Sequence, residues 1–194
     1  MNLVFFDLET GGLDRFRHPV IQFAAIAVEL DSWQVLEEVE WKILFDEAEA
    51  DPQALEANCY DRETWKRDGL ARPVAMGSIA DFFRRHADVE KISKAGKPYT
   101  IARLCGHNAA RFDGDFLAEW FKSAGVFCPA GCYECLDTLQ LARWRAITDP
   151  SFKPENFKLE TLAAYLGIDP GSSHDALSDV RTTVELARWL MGRA

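Results

Sequence analysis

No uninterrupted apolar run in this chain approaches the ~20 residues that a membrane-spanning helix needs. Basic residues are also scarce. Among 194 residues, 22 Lys and Arg face 31 Asp and Glu, a net charge of −9. That balance argues against a protein that coats long nucleic acid by neutralising phosphates one after another. Only five cysteines occur, Cys59, Cys105, Cys128, Cys132 and Cys135, and their odd number argues for free thiols over a disulfide framework. Cys128, Cys132 and Cys135 are close enough in sequence for zinc, but no nearby histidine completes a four-ligand site, and small apolar residues in a loop before a buried strand are the better reading. There is no internal repeat, low-complexity segment or interdomain linker, so one domain over residues 1–194 is expected. The first strand starts at Leu3, which leaves no space for a secretory leader and makes a cytoplasmic location the expectation.

Against those absences stands Leu3-Val4-Phe5-Phe6-Asp7-Leu8-Glu9-Thr10-Gly11-Gly12. Leu3 to Phe6 is apolar on both faces, as in a central strand covered on both sides. Side chains alternate along a strand, so Asp7 and Glu9 point the same way. Two neighbouring carboxylates repel each other and lose hydration, and a divalent cation relieves both. A solvated strand end before a Gly-Gly turn is the alternative.

Val20–Leu30 and Val35–Phe45 read as second and third strands, separated at Asp31-Ser32, which makes an antiparallel meander. Pro52–Asp68 reads as short helical pieces, Val74–His86 as a helix, and Glu90–Pro98 as a charged loop. Tyr99–Cys105 reads as a strand and Ala110–Ser123 as a helix closed by Gly125. Glu134–Asp137 is a short strand followed by helices to about Thr148, over Leu159–Leu166 and from about Asp175 to Met191. The order implies a mixed sheet between helices. Basic groups cluster at Arg15-Arg17-His18, at Arg84-Arg85-His86, and at Lys91, Lys94 and Lys97; most such groups are ordinary solvated surface.

Acids recur at element ends in two further segments, His107-Asn108-Ala109-Ala110-Arg111-Phe112-Asp113 and His174-Asp175-Ala176-Leu177-Ser178-Asp179. Asp179 sits between Leu177 and Val180 of an apolar stripe, so it faces partly inward, where Asp is rare unless paired or metal-bound. His174 lies five residues earlier; on one continuous helix the two side chains would point ~140° apart, so they converge only if His174 belongs to the preceding loop. Taken alone, His174 is a capping or surface histidine and Asp113 a solvated first-turn acid.

Together the three segments resemble the Exo I, Exo II and Exo III motifs of the DEDDh, or DnaQ-like, exonucleases. Asp7-Leu8-Glu9-Thr10-Gly11-Gly12-Leu13 matches Asp-x-Glu-Thr-x-Gly-Leu, His107 to Asp113 matches His-Asn-x-x-x-Phe-Asp, and His174, Ala176 and Asp179 match His-x-Ala-x-x-Asp. Asp115 lies near the second motif without matching it. Softer matches at Pro19–Ile26, Leu136-Asp137-Thr138 and Lys158–Leu162 extend the resemblance along nearly the whole chain, whereas Glu47–Pro98 matches no subgroup.

The resemblance implies an α/β, ribonuclease H-like mixed sheet, antiparallel in its first three strands and then parallel, flanked by helices. It implies a 3′–5′ exonuclease releasing nucleoside monophosphates from single-stranded DNA or RNA ends. Two Mg²⁺ ions, with Mn²⁺ an expected substitute, would be held by Asp7, Glu9, Asp113 and Asp179, with His174 as general base. Thr10, Gly11, Gly12, Leu13, Asn108 and Phe112 would face the terminal nucleotide, with Leu13 or Phe16 wedged against a base. His107 and Asn108 are expected to shape the turn that aims Asp113. A polymerase or repair partner and a homodimer stay open; no membrane is expected. Two alternatives remain: a catalytically silent nucleic-acid-binding module on the same fold, and a phosphodiesterase for very short oligonucleotides.

Overall fold

The computed structural model describes residues 1–169 and 175–192. Strand β1 (Asn2–Thr10) lies at the centre of a five-stranded sheet. It pairs antiparallel with β2 (Val20–Glu29), which pairs antiparallel with β3 (Gln34–Lys42) at one edge. Short helices α1 (Pro52–Ala57) and α2 (Arg62–Asp68) and the longer α3 (Arg72–Arg85) follow. A separate antiparallel pair, β4 (Val89–Ile92) and β5 (Pro98–Ile101), precedes β6 (Leu104–Gly106), which returns parallel to β1. Then come α4 (Asp113–Ser123), β7 (Leu136–Asp137) parallel to β6, α5 (Thr138–Thr148), α6 (Leu159–Leu166) and α7 (Ala176–Leu190). The strand order is β3-β2-β1-β6-β7, the expected mixed sheet with an antiparallel half and a parallel half.

Alternation along β1 sorts its side chains between two cores. Val4, Phe6 and Leu8 join Phe23, Phe83 of α3, and Phe116 and Phe121 of α4 on one face. Leu3 and Phe5 join Ala24, Ile26, and Val180 and Val184 of α7 on the other. Asp7 and Glu9 continue the second set, so they emerge on the face that α7 covers. A third apolar cluster binds α5, α6 and α7 through Ala142, Leu162 and Leu186.

Three expectations are corrected. The segment expected as a charged loop, Glu90–Pro98, supplies the end of β4, the turn and the start of β5 in the β4–β5 pair. Its turn is closed by Ser93 N–H donating to the Lys97 carbonyl (2.9 Å) and by left-handed Gly96. Its exposed side chains hid the alternation, because a pair with little buried surface has little apolar signal. The strand expected from Tyr99 to Cys105 splits into β5 and β6, since Ala102 leaves the ladder to pair with Ala130. Helix α4 starts at Asp113, three residues later than expected, because Asn108 takes a left-handed conformation (φ 64°) and turns the chain there.

Close approach fixes one glycine at the end of β6. A Cβ on Gly106 would fall 2.5 Å from Ala109 Cβ and 2.9 Å from the Phe6 carbonyl of the central strand. Neither neighbour is the free end of a flexible chain. Gly106→Ala is therefore expected to cost about 1–3 kcal/mol, read as a melting temperature lowered by roughly 5 °C. Calorimetric melting checks this; an unchanged transition would mean that the turn has slack.

Candidate metal centre

Asp7, Glu9 and Asp179 each offer a carboxylate oxygen, and these atoms lie within 4.8 Å of one another. The first two arrive from β1 by alternation. Asp179 arrives from the first turn of α7, held against the same sheet face by Val180 and Val184. Asp175 caps that helix by accepting from Ser178 N–H (3.3 Å). Glu9 is only 8% exposed, while Asp7 and Asp179 are half-buried.

Asp113 lies outside this trio of ligand atoms but next to it. It is the first residue of α4, is 4% exposed, and accepts the Leu8 amide through Oδ1 (3.2 Å). Its charge is the strongest of the neighbouring charges acting on Asp7. The reading of Asp113 alone as a solvated helix-start acid is thereby corrected: the β1 backbone draws it inward and supplies a hydrogen bond there.

The turn before Asp113 is built for rigidity. His107 donates from Nε2 to the Phe157 carbonyl (2.9 Å), and Nδ1 then accepts from the Thr138 hydroxyl (2.9 Å). Burial lowers the pKa of His107 and keeps the ring neutral. Asp137, which sequence reasoning gave no role, accepts three backbone amides: Asn108 (2.9 Å), Ala110 (3.2 Å) and Leu139 (2.9 Å). The trace of it in sequence was an acid directly before a helix, the ordinary signature of an N-cap. His107 and Asn108 thus shape the turn, as expected.

On the other flank, Thr10 Oγ1 donates to the Gly12 carbonyl (2.8 Å), and Asn58, also unassigned in the sequence reading, donates to the Thr10 carbonyl (2.9 Å). Gly11 sits where a Cβ would come 2.8 Å from both Ala50 Cβ and Pro19 Cδ, and Gly12 (φ 152°) where one would strike the His18 ring at 2.5 Å. The protein's own packing already requires both glycines. What the turn presents to solvent is Leu13, 85% exposed, and then Phe16, 69% exposed. Phe112 is half-buried and packs on Phe116, ring centroids 4.8 Å apart. His174 lies outside the described residues.

Like charges and burial act together on these acids. Burial, and secondarily Asp179 and Asp113, push Glu9 up to about 7. Asp113 is pushed up to about 7, chiefly by burial. Asp7 rises well above the carboxylate range, through burial first and then Asp113, Glu9 and Asp179. Among the described residues, no ion pair involves Asp7, Glu9 or Asp113. An all-oxygen donor set with uncompensated negative charge fits a hard divalent cation.

The pH dependence follows. Carboxylates whose pKa is raised by folding bind more protons in the native state between about 4.5 and 7, so stability falls as pH rises through that window. Glu9 alone contributes on the order of 3 kcal/mol. His107 opposes this, because its lowered pKa makes stability rise with pH toward its ordinary value. The difference between melting temperatures in Mg²⁺ and in chelator cancels that common effect. That difference is expected to grow from pH 5 to pH 8, since the cation must displace protons at the lower pH. A flat difference would detach the acids from cation binding.

No family model matches the chain. Over 184 residues, 93% of this chain and 53% of the relative, it is 26% identical to "Exonuclease DPD1, chloroplastic/mitochondrial" of Arabidopsis thaliana. Among solved structures it superposes on E. coli exonuclease I in complex with a dT13 oligonucleotide, with TM-score 0.81 at 21% identity, over 99% of this chain and 41% of that one. The zinc-bound complex of the same E. coli enzyme with single-stranded DNA gives TM-score 0.79 at 22% identity, over 99% and 40%. The chain therefore spans about half the length of the curated relative and about two fifths of exonuclease I. The fold is the ribonuclease H-like mixed sheet of exonuclease I.

Proposed function

We propose that residues 1–194 form one exonuclease domain that uses two divalent cations, Mg²⁺ or Mn²⁺, to release nucleoside monophosphates from the 3′ end of single-stranded DNA. The observation that carries this reading is the meeting of Asp7, Glu9 and Asp179 within 4.8 Å at the end of the central strand. The DEDDh motifs in the sequence support it, as does likeness to exonuclease I, whose structures hold single-stranded dT13 and dA16. Those oligonucleotides are the reason to favour DNA over RNA. Among the described residues no helix is long and apolar enough to cross a membrane.

When bound, a pair of divalent cations makes a water nucleophilic near neutral pH and relieves charge on the departing oxygen. Asp7, Glu9 and Asp179 are the residues that would hold them, with Asp113 completing the set. The Leu8 amide occupies Asp113 Oδ1 and limits how that carboxylate turns. His174, five residues before Asp179 in the sequence, takes the proton from the attacking water. The Gly11–Leu13 turn, with Thr10, Asn108 and Phe112, flanks the terminal nucleotide; the hydrogen bonds of Asn58 and Asp137 keep both flanks in place before substrate arrives.

Digestion of a 5′-labelled single strand tests the reading. In Mg²⁺ the label is expected in a ladder that shortens from the 3′ end, with no digestion in chelator. Immediate release of the label as a mononucleotide would reverse the polarity, and an intact strand in both metals would remove the nuclease assignment.

A further inference from the structure

A cavity of about 270 Å³ opens directly beside the Gly11–Leu13 turn. One wall is Arg15–Val20, and Pro19 in that wall accepts the Gly11 amide (2.8 Å). The opposite wall is α4, where Phe116 and Trp120 line the cavity one and two turns after Asp113. None of the candidate ligands lines the cavity; it is linked to them along the chain, since Arg15 follows the Gly11–Leu13 turn by two residues and α4 begins at Asp113.

Its chemistry differs from the rest of this acidic surface. Arg17 and Arg72 both line it, and among the described residues neither has a carboxylate partner. Arg72 donates to the Trp120 carbonyl (3.1 Å) and to Ser123 Oγ (2.7 Å), with its guanidinium 5.7 Å from the Trp120 ring centre. Those contacts aim the cation without neutralising it. Arg15 is already paired with Asp115 (2.6 Å) and lies over the Phe16 ring (5.0 Å). Two carboxylates also line the cavity: Glu119, matched by Lys122 (2.9 Å), and Glu49. Phe16 stands exposed at the rim with the Arg15 guanidinium over its ring, an arrangement of aromatic and cation side by side.

We propose that this cavity seats the nucleotides immediately upstream of the scissile bond, with a base stacked on Phe16 and backbone phosphates on Arg17 and Arg72. This rests on the exonuclease reading for its substrate but not for its test. Aromatic faces combined with unneutralised cations recognise unpaired strands with little regard to sequence, because every base offers a face and every linkage a charge. In a duplex those faces are already stacked, so the groove selects single strands. It also sets substrate length: a dinucleotide reaches the metal centre without filling the cavity, whereas a longer strand gains from it.

Equilibrium binding of 5′-fluorescein-labelled dT10, followed by anisotropy in chelator, reads the groove without turnover. Phe16→Ala is expected to weaken binding about tenfold. Arg17→Ala and Arg72→Gln are each expected to weaken it and to lower the slope of log affinity against log salt by about one. Unlabelled dT2 should compete equally poorly against wild type and Phe16→Ala. Melting curves confirm that each variant folds; Phe16 and Arg17 are exposed, so their variants remain informative if Arg72→Gln is destabilised. Wild-type affinity in Phe16→Ala and Arg17→Ala, or no binding of dT10 by the wild type, overturns the groove. Weakened binding by the variants in a protein that never cleaves the strand would leave the groove standing and remove the nuclease reading.

Discussion

Asp7→Asn is expected to abolish exonuclease turnover, by at least about 10³-fold, while leaving the melting temperature in chelator undiminished at pH 8. The activity half follows from position. Asp7 feels the charges of Asp113, Glu9 and Asp179 together, and its carboxylate oxygen lies within 4.8 Å of those of Glu9 and Asp179. Losing cation stabilisation of a developing oxyanion is worth several kcal/mol, and each 1.36 kcal/mol is tenfold in rate. The stability half follows from electrostatics. Burial and the three neighbouring acids raise the Asp7 pKa, so its charge opposes folding when no cation is present. Asparagine keeps the shape and removes the repulsion. Activity assays and melting in chelator, on the same preparation, check both halves. A large fall in the chelator melting temperature would make Asp7 a structural residue and break the link between the cluster and cations.

His174→Ala is expected to lose about 10²–10⁴-fold in turnover with Mn²⁺ binding retained. An unperturbed imidazole has a pKa near 6.5, suited to accepting a proton near neutral pH. His174 stands five residues before Asp179 in the sequence. Calorimetric titration with Mn²⁺ separates the roles: loss of the binding heat would make His174 a cation ligand, and retained turnover would remove it from the chemistry.

What the sequence displayed, and what it concealed, divides along the range of the interactions. Alternation along β1 was enough to put Asp7 and Glu9 on one face, and the stripe Leu177-Val180-Val184 was enough to turn Asp179 inward, because both patterns are local. The antiparallel meander and a mixed sheet between helices followed from the order of elements, the parallel half from the family resemblance, and the strand order from the structure. Asp113 was different. Alone it read as a solvated helix start, and what buries it is the Leu8 amide, 105 residues away in sequence. Asp137 reaches back 29 residues to Asn108, and Asn58 reaches back 48 to Thr10. Such bonds leave no periodicity, only a polar residue in an unremarkable place. The β4–β5 pair was concealed for the opposite reason: with most of its side chains in solvent, nothing apolar marked its alternation. Glu47–Pro98 resembled no subgroup, yet it holds the Gly11 turn through Asp51, whose amide donates to the Gly11 carbonyl (2.6 Å), and anchors β2 through Trp65, which donates to the Ile21 carbonyl (2.9 Å).

The most direct test is anomalous diffraction from a crystal soaked in Mn²⁺. The account predicts an anomalous peak within about 2.1 Å of carboxylate oxygens from Asp7, Glu9 and Asp179, with Asp113 turned toward the same peak or a second one beside it. A crystal with Mn²⁺ bound elsewhere and no density between these carboxylates would contradict it.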